Sequence, residues 1–194
     1  KLMKKDTNKK IIIGFSIGDY NGIGPEILLK SFSDSKIFLE FIPVVFCEKY
    51  ILEYYSKRYG HNFKIKEIKN LDSITDENLI YTFPISNKEI EILPGEIKKE
   101  SGNYAVKSLE ECTNAQINKK IDGIVTLPIS KINSQSTKFP FPGHTEYFLE
   151  KFNIDDNMMI MHSEMMTIGF MTGHIPLDSI KSVLDKKKII KKLK

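Results

Sequence analysis

The sequence is poor in cysteine, and this limits the metal and redox sites that it can form. Its 194 residues contain two cysteines, Cys47 and Cys112, and neither has a second cysteine at Cys-x-x-Cys spacing. A zinc ribbon and a Cys-x-x-Cys redox motif are therefore excluded. We expect both thiols to be reduced and buried.

Long hydrophobic runs are also missing. The longest apolar stretches, such as residues 41–46, are much shorter than a membrane span. The apolar run at residues 11–13 is too short for the core of a signal peptide. We therefore expect a cytoplasmic protein without a membrane partner.

Outside the lysine-rich segment at residues 186–194, the chain has no strong excess of positive or negative charge. The formal net charge is +4, and the lysine-rich residues 186–194 account for much of it. The rest of the chain is close to neutral, which argues against a nucleic-acid partner. The lysine-rich segment is more typical of a solvated helical tail than of a membrane or nucleic-acid anchor.

Several nucleotide and hydrolase motifs are missing too. The chain has no Gly-Lys-Ser/Thr sequence for a P-loop and no Gly-x-Ser-x-Gly elbow. Counted from Gly22, the dinucleotide fingerprint requires a glycine where Ile27 stands. No internal repeat with a period of about 20 to 50 residues is present, which excludes a repeat architecture.

Strand and helix patterns alternate along the chain. The predicted strands are residues 10–15, 41–47, 63–68, 79–83, 123–127, 158–161 and 165–171, with 123–127 buried and the methionines of the last two filling the core. Five helices are predicted. One follows Gly24, one spans residues 50–59, one is capped by Ser101, and the last two begin at His144 and at Leu177. This alternation predicts an α/β sheet enclosed by helices.

Two of the four histidines occur in site-like segments. His144 lies in PGHTE at residues 142–146, and His174 lies in TGHIPL at residues 172–177. Each follows a glycine at the edge of an apolar run, where an imidazole can face a ligand, although a structural histidine is the alternative. Two histidines do not complete a zinc site. His162 is interpreted as a turn residue.

Two other segments have features of an anion site. The glycine-rich turn before Pro25 would point backbone N–H groups at an anion, unless the turn is purely structural. Residues 126–131 follow a predicted parallel strand, where α/β sheets place ligands, although a solvated Lys131 is the alternative. Thr145 is predicted to cap a helix or to bind phosphate through its hydroxyl.

Four segments together resemble the 4-hydroxythreonine-4-phosphate dehydrogenases. They are GDYNGIGPE at residues 18–26, DGIVTLPISK at 122–131, FPGHTE at 141–146 and TGHIPL at 172–177. The segments occur in the family's order, and the resemblance extends over essentially the whole chain.

The resemblance implies a fold like that of isocitrate and isopropylmalate dehydrogenases, an α/β/α sandwich with two intertwined lobes. It implies a homodimer whose active sites use both subunits, and NAD as a cofactor bound without the dinucleotide fingerprint. The implied reaction is oxidation of 4-phosphohydroxy-L-threonine at its 3-hydroxyl, with decarboxylation, in pyridoxal 5'-phosphate biosynthesis. His144 and Thr145 match the family's substrate-binding positions. His174 matches the first of three histidines that hold a divalent metal, which would be zinc, magnesium or cobalt.

Members of this family are longer than 194 residues, and the other two metal histidines would lie beyond Lys194. We therefore expect the chain to be the N-terminal part of a dehydrogenase, incomplete at its C-terminus. Three alternatives remain. One is a dehydrogenase of another phosphorylated four-carbon hydroxy acid, and another is a noncatalytic truncated chain that binds a metabolite or dimerises. The third is a plain α/β domain that retains the resemblance only from its ancestry.

Overall fold

The computed structural model of the protein describes residues 10–75, 78–136, 139–173 and 175–193. The strands are β1 (Ile11–Ser16), β2 (Phe41–Phe46), β3 (Ile65–Glu67), β4 (Ile80–Thr82), β5 (Gly123–Thr126), β6 (Met159–His162) and β7 (Thr167–Phe170). The α-helices are α1 (Gly24–Ser31), α2 (Ile37–Glu40), α3 (Lys49–Arg58), α4 (Lys99–Ile117), α5 (Lys131–Ser134), α6 (His144–Lys151), α7 (Ile180–Val183) and α8 (Lys186–Leu193). Contacts divide the chain into two compact units, one ending at His144 and the other beginning at Thr145.

The first unit is built on a five-stranded sheet in the order β3-β4-β2-β1-β5. Every neighbouring pair is parallel, with Ile11 opposite Phe41 and Ile13 opposite Gly123. Parallel strands need crossover connections, and the helices between β1 and β2, between β2 and β3 and between β4 and β5 supply them. The predicted parallel α/β sheet is confirmed.

Helices cover both faces of this sheet. Adjacent residues of a strand point to opposite faces. A Cβ atom placed on Gly14 would lie 2.8 Å from Sγ of Cys112 in α4. The ring of its neighbour Phe15 packs edge-on against Phe32, directly after α1, with 5.4 Å between centroids. Helix α4 therefore lies on one face and the α1 segment on the other, which gives the expected α/β/α sandwich.

The two cysteines behave as the sequence predicted. Cys47 and Cys112 are free thiols and are fully buried. Burial raises the pKa of both thiols. They are therefore protonated at neutral pH and behave as small core side chains.

Two local predictions in the first unit are wrong. Ser101 does not cap α4, because the helix begins at Lys99 and the Ser101 hydroxyl donates a hydrogen bond back to the carbonyl of Lys98 at 3.0 Å. Strand β5 is not buried, because among the described residues it pairs only with β1 and lies at an edge of the sheet. Val125 is 41% exposed as a result.

The second unit contains an antiparallel hairpin formed by β6 and β7, with Met159 opposite Phe170. Its methionines do not fill a core, because Met159, Met161 and Met165 are 49%, 57% and 97% exposed. A two-stranded hairpin buries neither face unless another layer packs on it. His162 ends β6 instead of lying in the turn, and its Nδ1 is 2.7 Å from Oγ1 of Thr167.

The helical pattern predicted from Leu177 is interrupted. It consists of a 3₁₀ turn at Leu177–Ser179, helix α7, an extended residue at Leu184 and then helix α8. None of the helices in the described ranges is long and apolar enough to cross a membrane.

Candidate functional site

The carboxyl ends of the five parallel strands meet at one edge of the sheet. Strand β1 lies between β2, which follows it in the chain, and β5, which joins on the other side much later. The chain therefore changes direction across the sheet at the β1/β5 boundary. Open α/β sheets bind their ligands at the carboxyl edge beside such a switch point.

The two loops at this switch point are in direct contact. Gly18 has a φ angle of +70°, and a Cβ atom there would lie 2.3 Å from the carbonyl oxygen of Pro128. Only glycine fits this position without strain. The N–H of Asp19 donates to the same Pro128 oxygen at 3.0 Å. The structure thus joins the two segments that the sequence singled out separately as candidate anion sites.

A buried carboxylate holds these loops together. Asp19 is 5% exposed and accepts hydrogen bonds from the N–H of Asn21 at 2.9 Å and from Nδ2 of Asn133 at 2.7 Å. Nδ2 of Asn133 also lies 2.9 Å from the carbonyl oxygen of Lys98 and 3.2 Å from Oγ of Ser101. Burying a carboxylate is costly unless hydrogen-bond donors satisfy its oxygens, and these two donors do so. Sequence reasoning missed Asn133, because nothing in its neighbours marks it as a partner of Asp19.

A second buried carboxylate follows β2. Oε1 of Glu48 accepts from the N–H groups of Ile85 and Ser86 at 3.0 and 2.5 Å, and Oε2 accepts from the hydroxyl of Tyr104. The N–H of Glu48 donates to the Tyr104 oxygen at 3.2 Å. Burial, followed by the neighbouring acidic groups Cys47 and Glu48, raises the pKa of Tyr104 well above its usual range. The phenol therefore stays protonated and remains a donor.

The irregular segment at residues 83–98 crosses this edge as a fixed strap. Besides the bonds to Glu48, the N–H of Leu93 donates to Oδ1 of Asn21 at 2.8 Å, and the N–H of Gly95 donates to the Asn21 carbonyl at 2.7 Å. The N–H of Ile90 donates to the hydroxyl of Tyr50 at 3.0 Å. These bonds hold the strap against the glycine-rich turn and α3.

An open cleft of about 590 Å³ lies between the strap and the first half of α4. This volume is typical of small-molecule pockets, which have about 300 to 1,000 Å³. The rings of Tyr20 and Tyr104 meet in its wall at 5.1 Å between centroids and nearly perpendicular planes. Its charged lining residues are Lys88, Lys98, Lys107, Glu89, Glu91 and Glu100. The sequence did not reveal this cleft, because its wall combines Tyr20 of the glycine-rich turn with the strap and α4, which lie more than 60 residues further along the chain.

His144 is the first residue of α6 and is half-buried. Burial lowers the pKa of its imidazole below the usual 6.5. Nε2 is buried and has no hydrogen-bond partner among the described residues. A neutral imidazole with a buried, unpartnered nitrogen is unusual in a folded protein and suits a ligand contact.

Thr145 is exposed and lies in the first turn of α6, one residue after the helix begins. It does not cap the helix, contrary to one of the two roles predicted for it. Its hydroxyl lies at the positive end of the helix dipole, which favours an anionic group.

The predicted metal ligand His174 lies outside the described residues. Within residues 10–75, 78–136, 139–173 and 175–193, no group of three His, Cys, Asp or Glu side chains is placed to hold a metal ion. The described part of the chain therefore supplies no metal donor set.

Comparison with known proteins identifies the family. The chain matches the family described as pyridoxal phosphate biosynthetic protein PdxA over residues 40–194. It is 35% identical over 184 residues to a 4-hydroxythreonine-4-phosphate dehydrogenase from Hydrogenobaculum sp., covering 94% of this chain and 57% of that protein. It is 32% identical over 183 residues to the protein of the same name from Sulfurihydrogenibium sp., covering 94% of this chain and 55% of the relative.

The fold agrees with a solved structure. The crystal structure of a 4-hydroxythreonine-4-phosphate dehydrogenase from Burkholderia phymatum superposes with a TM-score of 0.85 at 21% identity, over 95% of this chain and 56% of that one. The chain spans about half the length of the curated relatives it matches. The chain belongs to the family of the pyridoxal phosphate biosynthetic protein PdxA.

Proposed function

We propose that the protein is a 4-hydroxythreonine-4-phosphate dehydrogenase of pyridoxal 5'-phosphate biosynthesis. The names of its relatives support this reaction. The substrate would be 4-phosphohydroxy-L-threonine, with NAD as the oxidant and 3-amino-2-oxopropyl phosphate as the product. Hydride would pass from C3 to NAD, and the hydroxyl proton would leave to solvent. The bond from C2 to the carboxylate would then break to release carbon dioxide, and C2 would take up a proton.

The observation that carries the proposal is the state of His144. Its imidazole is half-buried, its pKa is lowered, and its Nε2 has no partner among the described residues. A neutral imidazole can donate or accept one hydrogen bond at this nitrogen, as a polar substrate group requires. We assign His144 to a hydrogen bond with a polar group of the substrate.

Thr145 would bind the phosphate of the same substrate. Its hydroxyl is exposed in the first turn of α6, where the helix dipole attracts negative charge. A hydroxyl that donates to phosphate makes a charge-assisted hydrogen bond, which is stronger than a neutral one.

The remaining parts of the proposal rest on the family resemblance. His174 is the proposed ligand of a divalent metal, either zinc, magnesium or cobalt. The metal, when bound, would lower the pKa of the substrate's 3-hydroxyl as a Lewis acid. We also propose a homodimer and a two-lobed dehydrogenase of which these 194 residues are a part.

The test is NADH formation by the full-length protein with 4-phosphohydroxy-L-threonine and, separately, with 4-phosphoerythronate. We expect turnover of the threonine derivative. His144→Ala and Thr145→Ala should each raise KM or lower kcat by about tenfold or more, the effect of losing one good polar contact. Thr145→Ser should retain most activity because it keeps the hydroxyl.

His61→Ala is the matched control for His144→Ala. His61 precedes β3, at the opposite edge of the sheet, and is partly buried like His144. Its replacement should leave the kinetics unchanged. Turnover of 4-phosphoerythronate alone would overturn the substrate assignment, and unchanged kinetics in His144→Ala would overturn the role of the imidazole.

A further inference from the structure

We infer that a cavity at the amino edge of the sheet, where β2, β3 and β4 begin, binds a small aromatic anion. The cavity has about 450 Å³ and lies between the segment that joins α1 to α2 and the residues directly before β3 and β4. This volume is typical of small-molecule pockets. The cavity belongs entirely to the first unit, at the edge of the sheet opposite the glycine-rich turn and the strap.

The floor of the cavity is aromatic. Phe32 and Phe38 are 1% and 9% exposed, and their rings pack with 5.8 Å between centroids. Phe63 also lines the cavity and is partly buried, whereas Leu39 lines it and is 63% exposed. A flat aromatic ring would pack against the phenylalanine rings and would cover the apolar surface that Leu39 exposes.

The charged residues that line the cavity are both lysines. Lys36 directly precedes α2, and Lys64 directly precedes β3. Neither has an ion-pair partner within the described part of the chain, and no Asp or Glu from that part lines the cavity. Asp34 does not line it, and its Oδ1 accepts from the N–H of Lys36 at 3.0 Å. Two unpaired ammonium groups without a carboxylate attract an anion.

Neutral donors complete the lining. Ser35 and Asn62 line the cavity, and their exposed side chains make no hydrogen bond to the described residues. A hydroxyl and a side-chain amide can donate to the oxygens of a phosphate or a carboxylate. An uncharged aromatic molecule would leave the lysines and these donors unused, and an anion without a ring would leave the aromatic floor unused. The lining therefore fits a molecule that has both parts.

The wall between α1 and α2 is already fixed by turns. The N–H of Ile37 donates to the carbonyl of Asp34 at 3.1 Å, and the N–H of Phe38 donates to the carbonyl of Ser35 at 3.2 Å. A wall that is ordered before binding saves the conformational entropy of ordering it. A ligand with few atoms can therefore bind here without first ordering the loop.

The test is isothermal titration calorimetry of the full-length protein with phenyl phosphate, benzoate, inorganic phosphate and benzyl alcohol. We expect at least one of the two aromatic anions to bind at least about tenfold more tightly than inorganic phosphate and benzyl alcohol. The tighter of the two identifies whether the lysines prefer a phosphate or a carboxylate. Absence of binding by both aromatic anions up to about 10 mM, or equal affinity for them and for either of the other probes, would overturn the inference.

Two double variants locate the binding. Lys36→Ala combined with Lys64→Ala should weaken binding of the aromatic anion by about tenfold, because both positive charges are removed. Lys57→Ala combined with Lys69→Ala is the matched control, since both are exposed lysines that do not line the cavity. The control lowers the net charge equally and should leave binding unchanged. Equal weakening by the two double variants would show attraction to the general surface charge and would overturn the inference.

A second pair of variants tests the apolar part of the cavity. Leu39→Asp adds a negative charge to the lining and should weaken binding by more than about tenfold. Leu39→Asn removes the same apolar side chain without adding a charge and should weaken binding less. Because Leu39 is 63% exposed, we expect both variants to fold, and circular dichroism checks this. Unchanged binding in Leu39→Asp would overturn the inference.

This inference does not depend on the proposed function, because binding is measured without turnover. An excess of 4-phosphohydroxy-L-threonine should leave the titration with the aromatic anion unchanged. Displacement of the aromatic anion by this compound would place the probe in the substrate site and would overturn the inference. A protein that binds the aromatic anion in this cavity but does not oxidise 4-phosphohydroxy-L-threonine would retain the inference and lose the proposed function.

Discussion

The side-chain amide of Asn133 donates a hydrogen bond to Oδ2 of Asp19 at 2.7 Å, across 114 residues of sequence. Both residues are buried, with 3% and 5% of their surface exposed. This bond joins α5 to the glycine-rich turn after β1. It therefore sets the geometry of the carboxyl edge at the β1/β5 boundary.

Replacing Asn133 should be costly. Asn133→Ala leaves a buried carboxylate on Asp19 without its side-chain partner, and we expect the free energy of unfolding to fall by about 2 to 4 kcal/mol. Urea denaturation followed by circular dichroism measures the change. Asn114→Ala, at an exposed position of α4, is the control and should change the stability by less than about 0.5 kcal/mol. If Asn133→Ala lowers the free energy of unfolding by no more than the control does, the hydrogen bond between Asn133 and Asp19 contributes little to stability.

Gly102 should not tolerate a side chain. A Cβ atom at this position would lie 2.1 Å from the backbone oxygen of Asn133, so either α4 or α5 has to move. We expect Gly102→Ala to destabilise the protein by about 3 kcal/mol, the upper range for overpacking, although alanine favours helix formation. Thermal unfolding measures the melting temperature of Gly102→Ala. Gly173→Ala is the control, since a Cβ atom on Gly173 meets no atom within 4 Å. Equal melting temperatures would contradict the close approach of α4 and α5.

The lowered pKa of His144 predicts an acid-dependent loss of stability. The imidazole has its usual pKa of 6.5 in the unfolded chain and a lower pKa in the folded protein. Between these two pKa values the unfolded chain binds a proton at this imidazole and the folded protein does not. The stabilising contribution is therefore complete above pH 6.5 and is lost as the pH falls through this window. His144→Gln should show a weaker fall than the unmodified protein in urea titrations over this range. Parallel curves for the two proteins would indicate that the pKa is not lowered.

Buried tyrosines predict a loss of stability at alkaline pH. Burial is the first cause of the raised pKa of Tyr20, which is about 12 instead of 10.0, and of Tyr104. Their contribution is present below pH 10, where both states are protonated, and is lost as the pH rises towards and beyond 12, because the unfolded state releases its protons first. The midpoint of urea unfolding should fall over this range.

Tyr104→Phe should reduce that alkaline dependence and also lower the stability at neutral pH by about 1 to 3 kcal/mol, because Oε2 of Glu48 loses its donor. Tyr54→Phe is the control, since Tyr54 is 37% exposed. If both variants retain the same pH dependence as the unmodified protein, burial of Tyr104 does not affect its ionisation.

Residues close in sequence could be interpreted without the structure. The β-branched run before the glycine-rich turn predicted β1, and the apolar run at residues 41–47 predicted β2, because burial on both faces leaves a continuous hydrophobic signal. The helix predicted at residues 50–59 is α3, and Gly60, with a φ angle of +71°, follows its end. The segment around His144 was recognised because a histidine beside a glycine at the start of a helix is visible in a few residues.

The sequence alone determined the alternation of strands and helices, the family resemblance and the candidate residues His144, Thr145 and His174. Only the tertiary structure showed that Asp19 pairs with Asn133, that Glu48 binds Tyr104 and the strap, and that Tyr20, the strap and α4 form one cleft. It also decided that the methionines of the hairpin are exposed. The physical reason is that propensity and periodicity are local, whereas burial and hydrogen-bond partners depend on which distant segments the parallel sheet brings to the same edge.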